Sequence, residues 1–366
     1  MLSNFFFLIG NEGGVCYLVE TFLGRNLSRA FCLIHFIELP FKILMKHYLG
    51  DTTGPSARDG MLGEDISELP SNAREMVDFE TISGNLEEVD KELIDNYDQY
   101  YAYHLAMGIQ KGAEYLRQIF KGTPPLPSKM YHARFLLTAL HIMRLYIQSN
   151  DPSDDLKRAV TICVKWYIPL FFWIKKNCHI NQAAKNFFQA IVWARETFNE
   201  EEWVLVEACF CRNSYMAHPE SILISGVCDE SVEVRKKCVE IIIEARQRSS
   251  GEVRQYFAPN KLLVFNAKTY LDMVDLRLKS IVTPPPLLEN YSDNTLRRVA
   301  LQGPIYIPDI PCHSVNNERA VKNTSQASKV AVGHDNTHNH ILNLTENREQ
   351  IRTRHTKNDF VPKNTK

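Results

Sequence analysis

Between residues 86 and 250 apolar side chains recur at three-and-four spacing, in segments closed by glycine, proline or asparagine. No other feature of the chain constrains its fold as strongly, because that period belongs to helices packed through one face. The spacing predicts helices over Glu87–Phe120, ended by Gly122 and Pro124-Pro125, and over Met130–Ile147, where Leu136, Leu140, Met143 and Ile147 form one stripe. A third starts after Ser153, an N-cap residue type followed by Asp154 and Asp155, whose charges suit the positive end of a helix. Asn181–Thr197, Glu200–Cys211 and Val232–Arg246 complete the set. Several are apolar on more than one side, IPLFFWI at 168–174 above all, so they must pack on one another. Trp166, Trp173, Trp193 and Trp203 fall at helical spacings and read first as core, with base stacking as the alternative.

The flanks have a different texture. Phe5–Ile9 reads as a strand, Gly13-Gly14 as a turn, Val15–Leu23 as a helix-like stripe and Ala30–Phe36 as a second strand-like run. After 250, Leu262–Phe265 reads as a strand, Tyr270–Leu278 as a short helix and Pro284-Pro285-Pro286 as a rigid linker. The expected order is therefore the first part of an α/β core over 1–50, an acidic loop over 51–85 and a helical insertion over 86–250. A returning part of the core follows over 251–345, and a basic, disordered tail over 346–366.

Charge is distributed unevenly beneath a formal net charge of −1. Residues 51–100 carry 14 Asp and Glu against Arg58, Arg74 and Lys91, whereas 313–366 carries nine Lys and Arg against five Asp and Glu. Such asymmetry suits a nucleic-acid partner, though a solvated surface explains it equally simply. The nine cysteines are odd in number and sit mostly in apolar company, which reads as reduced thiols of an intracellular protein. The opening apolar run lacks the basic residue and cleavage site of a secretion signal. The apolar stretch from Ile162 to Ile174 contains Lys165 and Pro169 and is too short to span a bilayer, so no membrane association is expected.

Cys32-x-x-His35 has metal-ligand residue types, but a structural zinc needs four ligands. Cys209-x-Cys211, Cys312-His313 and His338-x-His340 are scattered in different textures and do not supply the second pair convincingly. The wider segment, from Gly13-Gly14-Val15 through Cys32-Leu33-Ile34-His35 to Glu38-Leu39-Pro40, resembles a family of transposon-associated proteins. Tyr131-His132-Ala133-Arg134, Asn260–Tyr270 with Val282–Leu287, and Pro311-Cys312-His313 to Glu318-Arg319-Ala320-Val321-Lys322 carry further matches. More loosely, these blocks resemble cut-and-paste transposases of the hAT type. That resemblance implies an RNase H-like α/β core split by a long all-α insertion, with two Asp and one Glu holding magnesium ions that activate water and a DNA hydroxyl.

It further implies Glu318 as the third carboxylate, Cys32, His35 and Glu38 as a structural motif, and His132, Arg134, Arg319 and Lys322 as DNA contacts. Four have a plainer alternative: Cys32 as a buried strand residue, His35 as a polar strand end, Glu318 as a solvated glutamate at a helix start and Arg134 as a partner of an acid within the helical part. The departures weigh against catalysis. Where the family carries its first acid, this chain has Ser3-Asn4-Phe5, and Asp51 and Asp59 lie in a loop rather than on a strand. A two-metal site held by one carboxylate leaves its metals unpositioned, so no cofactor is expected for the chain as written. The reading frame then begins late, or the copy has decayed, or it has been adopted for binding. The expected function is a catalytically inactive, transposon-derived protein, nuclear, with DNA as its implied partner. The alternative is a helical protein-interaction module, which predicts an apolar groove on the helical part and no basic face.

Overall fold

The segment Ile168–Ile174, expected to pack on several sides, lies in the second half of a long helix at the axis of the molecule. The computed structural model describes residues 15–24, 33–51, 58–67, 75–121, 134–212, 219–248, 263–274, 288 and 291–305. Its helices are α1 (Val15–Leu23), α2 (Leu33–Leu49), α3 (Met61–Ser67), α4 (Tyr97–Lys111), α5 (Ala113–Phe120), α6 (Arg134–Ile147) and α7 (Asp154–Ile162). There follow α8 (Ile168–Lys176), α9 (Ala183–Thr197), α10 (Glu200–Arg212), α11 (Pro219–Val227), α12 (Val232–Arg248) and α13 (Asp293–Gln302). A π-helical stretch, Cys163–Tyr167, joins α7 to α8 without a break in direction of chain.

Among the described residues there is no strand, and this overturns the α/β, RNase H-like fold expected from the resemblance. The error is clearest at Ala30–Phe36. A short apolar run has no period of its own, so it fits a buried strand or a buried helix equally well. Extended to residue 49, the pattern is helical: Ile34, Ile37, Phe41, Leu44, Met45 and Leu49 are buried at three-, four- and seven-residue intervals along α2. Leu262–Phe265 is the second correction. Its described part, from Leu263, is an irregular chain in which the Val264 N–H donates to the Met273 carbonyl at 2.8 Å. The strand expected at Phe5–Ile9 lies outside the described residues.

The helix expected over Glu87–Phe120 is shorter and broken. It begins only after Asn96, whose side chain accepts from the Gln99 N–H at 3.0 Å. It breaks at Gly112, whose φ of 108° is a backbone state that glycine enters without a Cβ clash. The start predicted at Ser153 is a genuine N-cap: its side chain accepts from the Leu156 N–H.

The axis α7–α8 is buried almost all round. Ile162, Cys163, Val164, Trp166, Tyr167, Ile168, Leu170 and Phe171 are fully enclosed. Phe41 of α2 stacks on Tyr167 at 4.0 Å between ring centroids, and the Trp166 indole N–H donates to the Ala190 carbonyl of α9 at 3.0 Å. Helices α2, α4, α6 and α9 surround this axis, and α11, α12 and α13 extend the bundle from α9.

One polar cluster joins four of these elements. Glu202, in the first turn of α10, is 1% exposed and receives both Nε and Nη2 of Arg158 from α7. The Tyr48 hydroxyl of α2 donates to the same carboxylate at 2.5 Å, and the Asn199 backbone N–H donates at 2.8 Å. Asn199 in turn accepts from the Glu202 N–H, closing a reciprocal cap at the start of α10. Arg158 spends a further N–H on the Thr197 carbonyl at the end of α9. Burial pushes the Glu202 carboxyl upward, but the hydrogen bonds from Arg158, Tyr48 and Asn199 outweigh it and hold the group below its ordinary value.

Removing one partner from a buried pair leaves the other charge unanswered. Arg158→Met is expected to cost about 3–5 kcal/mol in urea unfolding, with part of that loss recovered when Glu202→Gln is added. A second expectation concerns pH. Burial, assisted by neighbouring Arg144, lowers His141 from 6.5 to about 4, so the folded chain keeps it neutral while the unfolded chain protonates it. Stability should therefore be complete above pH 6.5 and fall towards pH 4 by about 1.4 kcal/mol per pH unit. Equilibrium unfolding of His141→Phe across that window should lose this slope; an unchanged slope would rule out His141 as its source. Glu202, with its lowered value, adds its own loss only below its ordinary 4.5.

Candidate binding groove beside an acidic strap

Pro169 determines where the groove forms. A proline has no N–H, so the carbonyl of Lys165, four residues earlier, lacks its helical donor. The π-helical stretch Cys163–Tyr167 precedes it, closed by an Ile168 N–H donated to the Cys163 carbonyl. The Lys165 carbonyl is instead taken by the Asn85 side-chain amide at 3.3 Å. Beside it, Gly84 lies so close that an added Cβ would stand 2.8 Å from the Val164 carbonyl oxygen.

Asn85 and Gly84 belong to an extended strap, residues 75–90, laid across the helices. The Val77 N–H donates to the Ile147 carbonyl at 3.0 Å, and the Ile82 N–H to the Ile109 carbonyl at 3.0 Å. The Tyr146 hydroxyl donates to the Glu80 carbonyl at 2.7 Å. Met76 and Leu86 are buried against the bundle, while Glu75, Asp78, Glu80, Glu87 and Glu88 face solvent. Beyond the strap Asp95 is anchored by Lys175, which is 8% exposed and donates to Asp95 Oδ2 at 2.5 Å and to Gln99 Oε1 at 2.6 Å.

Between strap and bundle lies the groove. Its helical wall is one stripe of α8, Pro169, Phe172, Trp173 and Lys176, completed by Trp193 of α9. Its opposite wall is the strap end from Asn85 to Asp90. The two indoles meet edge to face at 5.8 Å and 67°. Trp173 is 37% exposed, whereas Trp166 is fully buried and Trp203 is 6% exposed. Its N–H donates at 3.0 Å to Asn186 Oδ1, and Asn186, itself 2% exposed, donates to the Asn177 carbonyl at 2.6 Å. The polar end of Trp173 is thus satisfied inside the protein and the ring is held still, leaving apolar surface at the groove. Helical spacing makes Trp173 a core residue first and a stacking residue second; nothing in that spacing distinguishes the exposed tryptophan from the buried ones.

Most of the residues expected to carry chemistry lie where no side chain is described. Cys32, His132, Glu318, Arg319 and Lys322 lie outside the described residues, as do the side chains of His35 and Arg134. The backbone of His35 lies in the first turn of α2, and Arg134 is the first residue of α6. Glu38 is buried on α2 at 7% exposure, near enough to Tyr167 that, after burial itself, it is the leading cause raising that hydroxyl well above its ordinary value. Asp51 and Asp59 close a loop: Asp59 accepts from the Asp51 N–H at 2.5 Å, and Asp51 pairs with Lys46 at 2.8 Å. Among the described residues no group of three His, Cys, Asp or Glu is placed to hold a metal ion, so the donors implied for magnesium are not brought together there. No described helix is long and apolar enough to cross a membrane. Cys163, Cys209, Cys211, Cys228 and Cys238 are buried thiols in no disulfide, and burial pushes the Cys228 thiol up to about 11.

The strap depends on Gly84. Gly84→Ala places a methyl group against the Val164 carbonyl and Cγ1, each at 2.8 Å. It should lift the strap locally, costing about 1–3 kcal/mol and speeding amide exchange at Val77 and Ile82 ahead of global unfolding. Uniform exchange rates in the variant would contradict that placement.

The chain matches no family model, no curated protein and no solved structure.

Proposed function

We propose that this chain acts by binding a segment of another protein in the groove between the strap and α8–α9, and that it does so without catalysis. The single observation that carries this reading is Trp173, immobilised by Asn186 and Trp193 yet open to solvent. Tryptophans that are rigid before binding and sit in a pocket contribute disproportionately to protein interfaces, because little side-chain freedom is lost on association. Many cations are already committed elsewhere, which weakens the case for a phosphate-binding face: Arg158 to Glu202, Lys175 to Asp95, Lys185 to Asp229 and Arg246 to Asp293.

The four sequence blocks support a transposon-derived origin for the chain, and with it a nuclear location. A second reading, DNA binding, is favoured by Lys236 and Lys237 on α12 and by Arg297 and Arg298 on α13, all exposed on helices that pack together.

The test is selection of peptides from a displayed library on the full chain, followed by titration of the selected sequences. Trp173→Ala should weaken them by about 30-fold or more, the loss of a central aromatic contact, without lowering the melting temperature by more than a few degrees. Equal binding by Trp173→Ala would remove the groove from the function. Tight binding of duplex DNA at physiological salt, with affinity falling steeply as salt rises, would favour the second reading.

A further inference from the structure

We propose that the side chain seated in this groove is an arginine supplied by the bound protein segment; the proposal rests on the binding reading above. The argument is one of charge and shape together. Trp173 and Trp193 present aromatic surface, and the strap end that lines the same groove carries Glu87, Glu88 and Asp90, all exposed, against one lining cation, Lys176. An aromatic face attracts a cation through its quadrupole, and a neighbouring carboxylate adds a charged hydrogen-bond acceptor. A guanidinium satisfies both at once: its plane lies on an indole while its edge donates to carboxylates, which an ammonium on a flexible stem does less well. The same chain already uses this pairing internally, where the Arg195 guanidinium lies 4.4 Å from the centre of the Trp203 ring. An apolar occupant would leave the carboxylates facing it desolvated without a partner. An acidic occupant would be repelled by them.

The experiment uses the full chain labelled with 15N at tryptophan, and three nine-residue peptides of sequence Gly-Ser-X-Gly-X-Gly-X-Ser-Gly, with X arginine, lysine or citrulline. The arginine peptide should move the indole N–H resonances of Trp173 and Trp193 while leaving those of Trp166 and Trp203 in place. The lysine peptide should bind several-fold more weakly, and the citrulline peptide, which keeps the shape and loses the charge, should move none of the four at the same concentration. The triple variant Glu87→Gln, Glu88→Gln, Asp90→Asn changes exposed side chains and should keep its melting temperature while losing about tenfold in affinity for the arginine peptide. Equal shifts from the citrulline peptide, undiminished binding by the triple variant, or no shift from the arginine peptide at millimolar concentration would each overturn the proposal. Library peptides that lack arginine yet depend on Trp173 would also overturn it, while leaving the binding reading intact.

Discussion

Glu202 is a buried carboxylate that three separate segments of the fold must answer together, and Arg158 ties a fourth to it. A carboxylate taken out of water is costly unless every lone pair finds a donor, and here the donors come from α2, α7 and the turn before α10. The requirement fixes more than local geometry. Arg158 reaches Glu202 only if α7 passes alongside the start of α10, and its remaining N–H finds Thr197 only if α9 ends there. Tyr48 then sets how far along α10 the last turns of α2 lie. Apolar packing of α2 against α8 and α9 tolerates a small slide of one helix along another; this cluster does not. The axis α7–α8 is thereby held in register with the helices around it, and the stripe Pro169–Lys176 is presented at a fixed height.

Pro169 turns that register into a groove. Its missing N–H leaves the Lys165 carbonyl without a helical donor, and the Asn85 amide of the acidic strap takes that place. The strap's backbone is satisfied at Ile147 and Ile109 as well, so it is held along its length rather than at one point. Because Met76 and Leu86 turn inward, the carboxylates around them are left outward, and those near Leu86 line the same groove as the tryptophans. The acidic character of the groove thus follows from how the strap is anchored.

Much of the helical middle was legible because its elements are long enough to show a period. Ser153 and the stripe ending at Ile147 declared themselves through a cap and a spacing that only a helix produces. Two kinds of feature were not legible. Short apolar runs, Ala30–Phe36 and Leu262–Phe265, carry no period within their own length, and their apolar, branched and aromatic residues read as strands. The strap was only half legible: residues up to 85 read as an acidic loop, but nothing in them signals an extended chain held against the bundle by Met76, Phe79, Ile82 and Leu86. From Glu87 the apolar spacing continues without a break into the helix that begins at Tyr97, so the sequence alone does not show where the strap ends. The groove needs both strap and axis, so it could not be read from either alone.

The four tryptophans show why composition does not locate function. All are on helices, and each was equally entitled to be core. Trp166 is enclosed and hands its N–H to Ala190; Trp203 is covered by Arg195 and Phe265. Trp173 differs in a single respect: its polar end points inward to Asn186 while part of its ring lies at the surface. An exposed tryptophan bonded to water at its N–H would be an ordinary surface residue, free to turn. Asn186, held by the Asn177 carbonyl and buried beneath the ring, removes that freedom without covering the aromatic surface. The apolar area therefore stays in water in the free protein, and its burial is available to stabilise a complex rather than the fold.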